Sequence, residues 1–227
     1  MDGLREQKAL LRKAVRAQLA KLSADEINQQ SESITEQVRD LAAYQNARAV
    51  CVFLSMPGKE VSTSALVLDA FKDGKSVYVP YIHAVGEGKQ KEKVIDMLKL
   101  WDKNDFDSLI PDSWGIPSLD HESVGQRDNA LGGKGPQKTG EGPQEMSPEL
   151  DLIFMPAVAF DRSHRRLGHG KGFYDRYLQK YHSAATITGR TMPALVGLAL
   201  QQQLLPISED VPVDRFDWLV DSVVVAK

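Results

Sequence analysis

The chain has 227 residues, enough to bury one sizeable core and most simply read as a single domain spanning residues 1–227. With 42% hydrophobic and 26% charged residues it has the balance of an ordinary globular protein, which excludes the disordered, fibrous and membrane-embedded classes. A formal net charge of −3 argues against a nucleic-acid partner, whose backbone calls for a basic surface, and no apolar stretch approaches the roughly 18 residues needed to cross a bilayer.

Leu4, Leu11, Val15, Leu19 and Leu22 fall on one stripe, which predicts an amphipathic helix over residues 4–22. Its first residues, including Asp2, Arg5, Glu6 and Lys8, carry no hydrophobic segment of a secretory signal, so the cytoplasm is the expected location. A mitochondrial location is the alternative, because the start is basic and amphipathic. Ser23-Ala24-Asp25-Glu26 has the spacing of a capping box, and Ile27, Ile34, Val38 and Leu41 form the apolar face of the helix it opens. The run 49–55 is short, apolar and β-branched, as a buried strand should be; its Cys51, the single cysteine, reads as packing in a reducing compartment. Ser62-Thr63 opens a further helix that stops near Asp73-Gly74, and a strand follows over residues 76–80.

Further strands are predicted at 94–100, 150–156, 195–200 and 218–224. Helices alternating with nearly continuous apolar runs indicate strands buried on both faces. The expected class is therefore α/β: three α/β/α layers around a mainly parallel, Rossmann-like sheet. Between about residues 121 and 149 the composition shifts to Gly, Pro, Lys, Gln and Glu, which predicts a flexible surface insertion within that one domain.

The chemistry concentrates in the segment from Arg165 to Tyr177. Gly168, Gly170 and Gly172 alternate with His169 and Lys171, so the backbone can approach an anion and turn N–H groups toward it. The helix expected next would add its N-terminal dipole, while Arg166 and Lys171 supply the positive charge that phosphoryl transfer requires. This is not a Walker loop, because Lys171 is followed by Gly172 instead of a hydroxyl residue. A dinucleotide fingerprint fits poorly too, since roughly ten residues separate the glycines from the preceding strand. Lys8, Arg12 and Arg16 recur every four residues on one helical face, where like charges repel unless an anion relieves them; a solvated basic face is the plainer account.

The order Asp151-Leu152-Ile153-Phe154-Met155-Pro156, Phe160-Asp161, then Arg166 through Asp175, resembles the signature of the 5-formyltetrahydrofolate cyclo-ligases. Phe53-Leu54-Ser55-Met56 with Glu60, Ser113-Trp114-Gly115-Ile116-Pro117 and Asp210-Val211-Pro212-Val213-Asp214 match as well, so the resemblance covers nearly the whole chain.

The resemblance implies ATP-dependent closure of 5-formyltetrahydrofolate to 5,10-methenyltetrahydrofolate, with ADP and phosphate released. It assigns Arg166, Lys171 and Asp175 to catalysis. ATP would be bound by Lys8, Arg12 and the segment Arg166, Gly168, His169, Gly170, Lys171, Gly172, Phe173, Tyr174 and Asp175; Arg16 stays with the solvated face. Met56, Glu60, Trp114, Phe173 and Tyr174 would hold the folate, Glu60 offering a carboxylate to the pterin edge and the rest flat walls. Asp175 and Asp214 are the candidate ligands of Mg2+, although a helix-start role explains Asp175 equally well. Many relatives have tyrosine where this chain has Phe173, so a hydroxyl role there passes to Tyr174 or water. The expected partner is the folate substrate, polyglutamylated or not, and the expected state is a monomer. Two other classes stay open: a sugar-phosphate or nicotinamide enzyme on a similar sheet, and a nucleotide-binding regulatory module without chemistry.

Overall fold

The computed structural model describes residues 2–86, 88, 91–137 and 149–227. In chain order its main elements are α1 (Asp2–Leu19), α2 (Ala24–Arg39), α3 (Ala42–Asn46), β1 (Ala49–Cys51), α4 (Ser64–Lys72), β2 (Ser76–Val85), β3 (Glu92–Leu100), α5 (Lys103–Asp107), β4 (Ile110–Pro111), β5 (Pro117–Ser118), β6 (Leu152–Met155), β7 (Ala159–Phe160), β8 (Arg166–Leu167), α6 (Phe173–Thr188), β9 (Ala194–Ala199) and β10 (Ser222–Val225).

Six strands form one sheet in the order β10-β9-β6-β1-β2-β3, and all neighbours are parallel except β2 and β3. Alternation along the strands explains why they read as unbroken apolar runs. Val50, Val77, Val79, Leu152, Phe154, Val196 and Leu198 point to one face, where Val15 and Leu19 of α1, Ile34 and Val38 of α2, and Leu66 and Val67 of α4 complete a core. Ala49, Cys51, Tyr78, Met97, Ile153, Met155 and Leu195 point to the other, against Tyr177, Leu178 and Tyr181 of α6. The predicted α/β/α layering is thus present, with burial on both sides of the sheet. The Ser23–Glu26 capping box also forms: the Glu26 N–H donates to the Ser23 hydroxyl at 3.2 Å and the Ser23 N–H donates to Glu26 at 2.8 Å.

Three local expectations need correction. The strand predicted to stop at Pro80 continues to Val85 and folds back as the antiparallel β3. Proline is tolerated there because β1 accompanies β2 only as far as Tyr78, so beyond that point no β1 carbonyl waits for an N–H. The last strand starts at Ser222 instead of 218, because the chain before it is tied elsewhere: the Trp218 N–H donates to Asp175 at 3.2 Å and the Val220 N–H to the His164 carbonyl at 3.0 Å.

The third correction concerns the Gly/Pro-rich segment, whose first part is not a surface insertion. Residues 128–130 run along the outer edge of β3, with the Lys99 N–H donating to Asp128 and the Ala130 N–H to Met97, both at 2.9 Å. Arg127, 1% exposed, donates to both carboxylate oxygens of Asp105 at 2.6 and 2.8 Å. This piece protects a sheet edge, a task that composition does not reveal. The remainder of the predicted insertion, residues 138–148, lies outside the described residues.

Candidate active site

Parallel α/β sheets place ligands at the carboxyl ends of their strands, and the chain leaves β6 at that end to build a small scaffold. β7 and β8 pair antiparallel, Phe160 opposite Arg166 and Ala159 opposite Leu167, which holds the two flanks of the following loop in register. Residues 168–172 then cross the surface and enter α6. Gly172 caps that helix at φ 65° and Gly170 lies at φ 97°, both in the left-handed region that favours glycine. Space is equally restrictive: a Cβ on Gly168 would lie 3.0 Å from the Arg166 guanidinium, and one on Gly170 would lie 3.3 Å from that of Arg12. No side chain caps α6, so its first N–H groups are available to an anion.

Arg166 is the buried charge of the site, only 6% exposed. Its guanidinium donates to Asp175 at 2.6 Å and, more weakly, to the Pro156 carbonyl at 3.4 Å, while its Nε has no partner among the described residues. Asp175 also accepts the Trp218 N–H at 3.2 Å, which ties the start of α6 to the chain entering β10. The Arg166 guanidinium lies 5.8 Å from the Tyr174 ring centroid. The Tyr174 hydroxyl is buried and likewise unpartnered. Buried polar groups normally find partners, and these two lack one among the described residues.

Helix α1 closes the other side. Lys8 is 2.6 Å from Asp217 and 3.5 Å from Asp214; Arg12 donates to the Gly168 carbonyl at 2.8 Å; Arg16 reaches the His169 ring at 3.5 Å. Successive turns therefore touch successive parts of the site, as the four-residue spacing of the cations predicts. Arg16 is exposed, in keeping with the solvated face, yet contributes this contact. Burial and then the repulsion of Arg16 lower the Arg12 pKa. Partial desolvation followed by the charges of Arg16, Arg12 and Arg166 lowers that of His169, which favours the neutral ring. The N–H of Phe216 and the Lys8 ammonium hold the Asp214 pKa below its usual range.

Between α1, the glycine loop and residues 214–217 lies a cleft of about 850 Å³, within the range of small-molecule sites. Lys8, Arg12, Arg166, Gly168, Gly170, Gly172, Asp175 and Asp214 line it. His169 and the exposed Lys171 sit on the loop but outside its lining, and so do Phe173 and Tyr174, partly buried at the start of α6. Leu4, Arg5, Arg215, Phe216 and Asp217 also line the cleft and were not foreseen. Leu4 had been placed on the apolar packing stripe, and nothing in an Arg-Phe pair between two aspartates signals a binding wall. A second concavity of about 630 Å³, around Arg39, Tyr44 and Lys75, opens near the start of β1 and β2, away from this chemistry.

The other predicted group gathers after β1. Glu60 accepts the Met56 N–H at 2.7 Å. Burial pushes its pKa up to about 7, against the downward pull of that hydrogen bond. Trp114, 67% exposed, is carried by the turn between β4 and β5; the adjacent Gly115 packs on Pro57, within 3.5 Å of where a Cβ would stand. Burial raises the Tyr174 pKa well above the usual tyrosine range, helped by the Cys51 thiol and the Glu60 carboxyl and opposed by Arg166. Among the described residues no group of three or more His, Cys, Asp or Glu side chains could enclose a metal ion.

These features define an α/β enzyme with a cationic, glycine-lined cleft between α1, the start of α6 and residues 214–217. The model of the 5-formyltetrahydrofolate cyclo-ligase family matches residues 4–226, and the chain belongs to that family. It is 35% identical to a Schizosaccharomyces pombe protein named "Probable 5-formyltetrahydrofolate cyclo-ligase", with 96% of this chain and 94% of that one covered. It is 32% identical to the 5-formyltetrahydrofolate cyclo-ligase of Mus musculus, over 94% of this chain and 90% of the other. Among solved structures, the 5,10-methenyltetrahydrofolate synthetase of Aquifex aeolicus superposes with a TM-score of 0.64 at 26% identity, covering 96% of this chain and 89% of that chain. No described helix is long and apolar enough to cross a membrane.

Proposed function

We propose that this chain catalyses the ATP-dependent cyclisation of 5-formyltetrahydrofolate to 5,10-methenyltetrahydrofolate, ADP and phosphate, with the triphosphate in the cleft under α1 and the pterin beside Glu60. The observation that carries this reading is that Lys8, Arg12 and Arg166 line one cleft together with Gly168, Gly170 and Gly172 at the uncapped start of α6.

A formamide carbon is a poor electrophile and its oxygen a poor leaving group. Transfer of the γ-phosphoryl to that oxygen forms an O–P bond, breaks the bond to ADP and leaves an iminium phosphate. The second folate nitrogen then attacks the carbon, loses its proton, and phosphate departs with the former formyl oxygen. The protein contributes alignment and charge stabilisation. Arg166 is fixed by Asp175 with its Nε unspent, so it meets the developing charge without reorganising. Lys171 and the α6 N–H groups cover the phosphates, and Arg12 approaches from α1. The Tyr174 hydroxyl, buried and without a partner among the described residues, would donate to the reacting oxygens. Met56, Trp114 and Phe173 supply the flat walls for the folate, and the Glu60 carboxylate accepts from the pterin edge.

Asp175 and Asp214 fit a magnesium ion, which usually combines one or two carboxylates with phosphate oxygens and water and so needs no enclosed cage. When bound, that ion would supply charge neutralisation at the phosphates. Formation of the methenyl product, followed by its absorbance with and without ATP, tests the proposal. Strict dependence on ATP is the expected result, and ATP binding without turnover would leave a nucleotide-binding module instead.

A further inference from the structure

We infer that Phe216 is the stacking platform for the purine base of the nucleotide, with Leu4 as the facing apolar wall. This rests on the placement of the triphosphate in the cleft.

Phe216 is 67% exposed although it lines the cleft, and a large aromatic ring left open inside a concavity is available for a flat ligand. It is also held firmly. Its N–H donates to Asp214 at 2.8 Å, the Asp214 N–H donates to Asp217 at 2.7 Å, and Lys8 of α1 pairs with Asp217 at 2.6 Å. The Arg215 guanidinium stands 4.6 Å from the ring centroid, a cation–π contact that fixes the ring further. The turn therefore presents a pre-positioned ring instead of a loose one.

Helix α1 sets the distance between the two ends of the ligand. Arg12 marks the phosphate end through its bond to Gly168, and Lys8 meets the 214–217 turn one helical turn earlier. Leu4 lies one turn before that and lines the same cleft. From Arg12 to Leu4 the helix rises about 12 Å at 1.5 Å per residue, a span suited to an extended nucleoside triphosphate. The cleft is thus glycine-lined with Arg12 and Arg166 at the end that takes phosphates, while Phe216 and Leu4 give the other end its aromatic and aliphatic surface among the charged Arg5, Lys8, Asp214, Arg215 and Asp217. Stacking of this kind uses the π-face of the base and demands no hydrogen-bond pattern.

The test is steady-state kinetics on the full chain with ATP as the varied substrate and tripolyphosphate as a competitor that has no base. Phe216→Ala should raise the KM for ATP about tenfold, in keeping with one lost base–aromatic stack, while the Ki of tripolyphosphate stays at the wild-type value. Phe216→Trp should restore the KM for ATP. Arg12→Ala should raise both constants, because it acts on phosphates. If Phe216→Ala moved both constants in proportion, the cleft would have been distorted and the platform would be refuted; an unchanged KM for ATP would refute it as well. If Arg12→Ala moved neither constant, the triphosphate would lie elsewhere and both the cleft assignment and the platform would fall.

Discussion

The two halves of the active site solve opposite electrostatic problems. The phosphate half keeps charges that are paired or solvated: Lys171 is exposed, Lys8 is paired with Asp217, and Arg166 is matched by Asp175. The half proposed to take the pterin buries an acid that no cation pairs with among the described residues, and the pKa of Glu60 rises to about 7 through burial. A polyphosphate needs positive charge and backbone donors already in place. A pterin can be read by one carboxylate whose hydrogen bonds grow strong because water is excluded.

Substitutions can break this division. The largest effect is expected for Arg166→Ala, which removes the charge at the transferring group and strips Asp175 of its partner. We expect kcat/KM to fall by about a thousandfold, with a stability loss of about 3 kcal/mol visible in chemical denaturation. Arg166→Lys should recover the stability better than the activity, since an ammonium cannot reproduce the guanidinium geometry; full recovery of kcat would remove Arg166 from the chemistry.

Lys171→Ala should come next, lowering kcat/KM for ATP by roughly a hundredfold. Its Tm should stay within a degree or so of wild type, because an exposed loop lysine contributes little to packing. Unchanged kinetics with ATP would exclude the role.

Glu60→Gln should act on the other half alone, raising the folate KM about tenfold to a hundredfold through lost charge-assisted hydrogen bonds. A change confined to the KM for ATP would show that Glu60 serves the wrong pocket. The wild-type folate KM should itself fall as pH rises through about 7, where Glu60 ionises, and this dependence should vanish in Glu60→Gln.

Stability should show the opposite trend. The Glu60 pKa is raised from 4.5 to about 7 by folding, so its contribution is fully present below pH 4.5 and is lost as pH rises through about 7. Relative to wild type, Glu60→Gln should therefore gain stability across that window, by up to about 3 kcal/mol. Denaturation midpoints at pH 5 and pH 8 check the sign, and a constant difference between the two proteins would mean that Glu60 is not desolvated. These two pH effects together sharpen the contrast, since the same ionisation that strengthens folate recognition weakens the fold.

Much of this was legible before any coordinates. The capping box at Ser23–Glu26 depends on residues three apart and formed as spaced. The glycine loop was readable because an alternating glycine pattern followed by a helix restricts the backbone locally. Residues 121–137 misled for a related reason: glycine and proline signal irregular backbone, and irregular backbone also occurs when a chain folds tightly along a sheet edge with Arg127 inside. Leu4, Arg215 and Phe216 escaped notice because their importance comes from what stands opposite them, and sequence patterns carry no record of that.

By itself the amino-acid sequence determined the three-layer class, the helix starts, the glycine loop and the basic stripe of α1, since each arises from periodicity or from backbone constraints over a few residues. Tertiary structure alone decided that β3 turns back antiparallel, that Asp175 pairs with Arg166 and Lys8 with Asp217, and that the Tyr174 hydroxyl is buried. Those outcomes join residues up to 209 positions apart, and the burial that shifts the Glu60 pKa exists only once the distant segments have met.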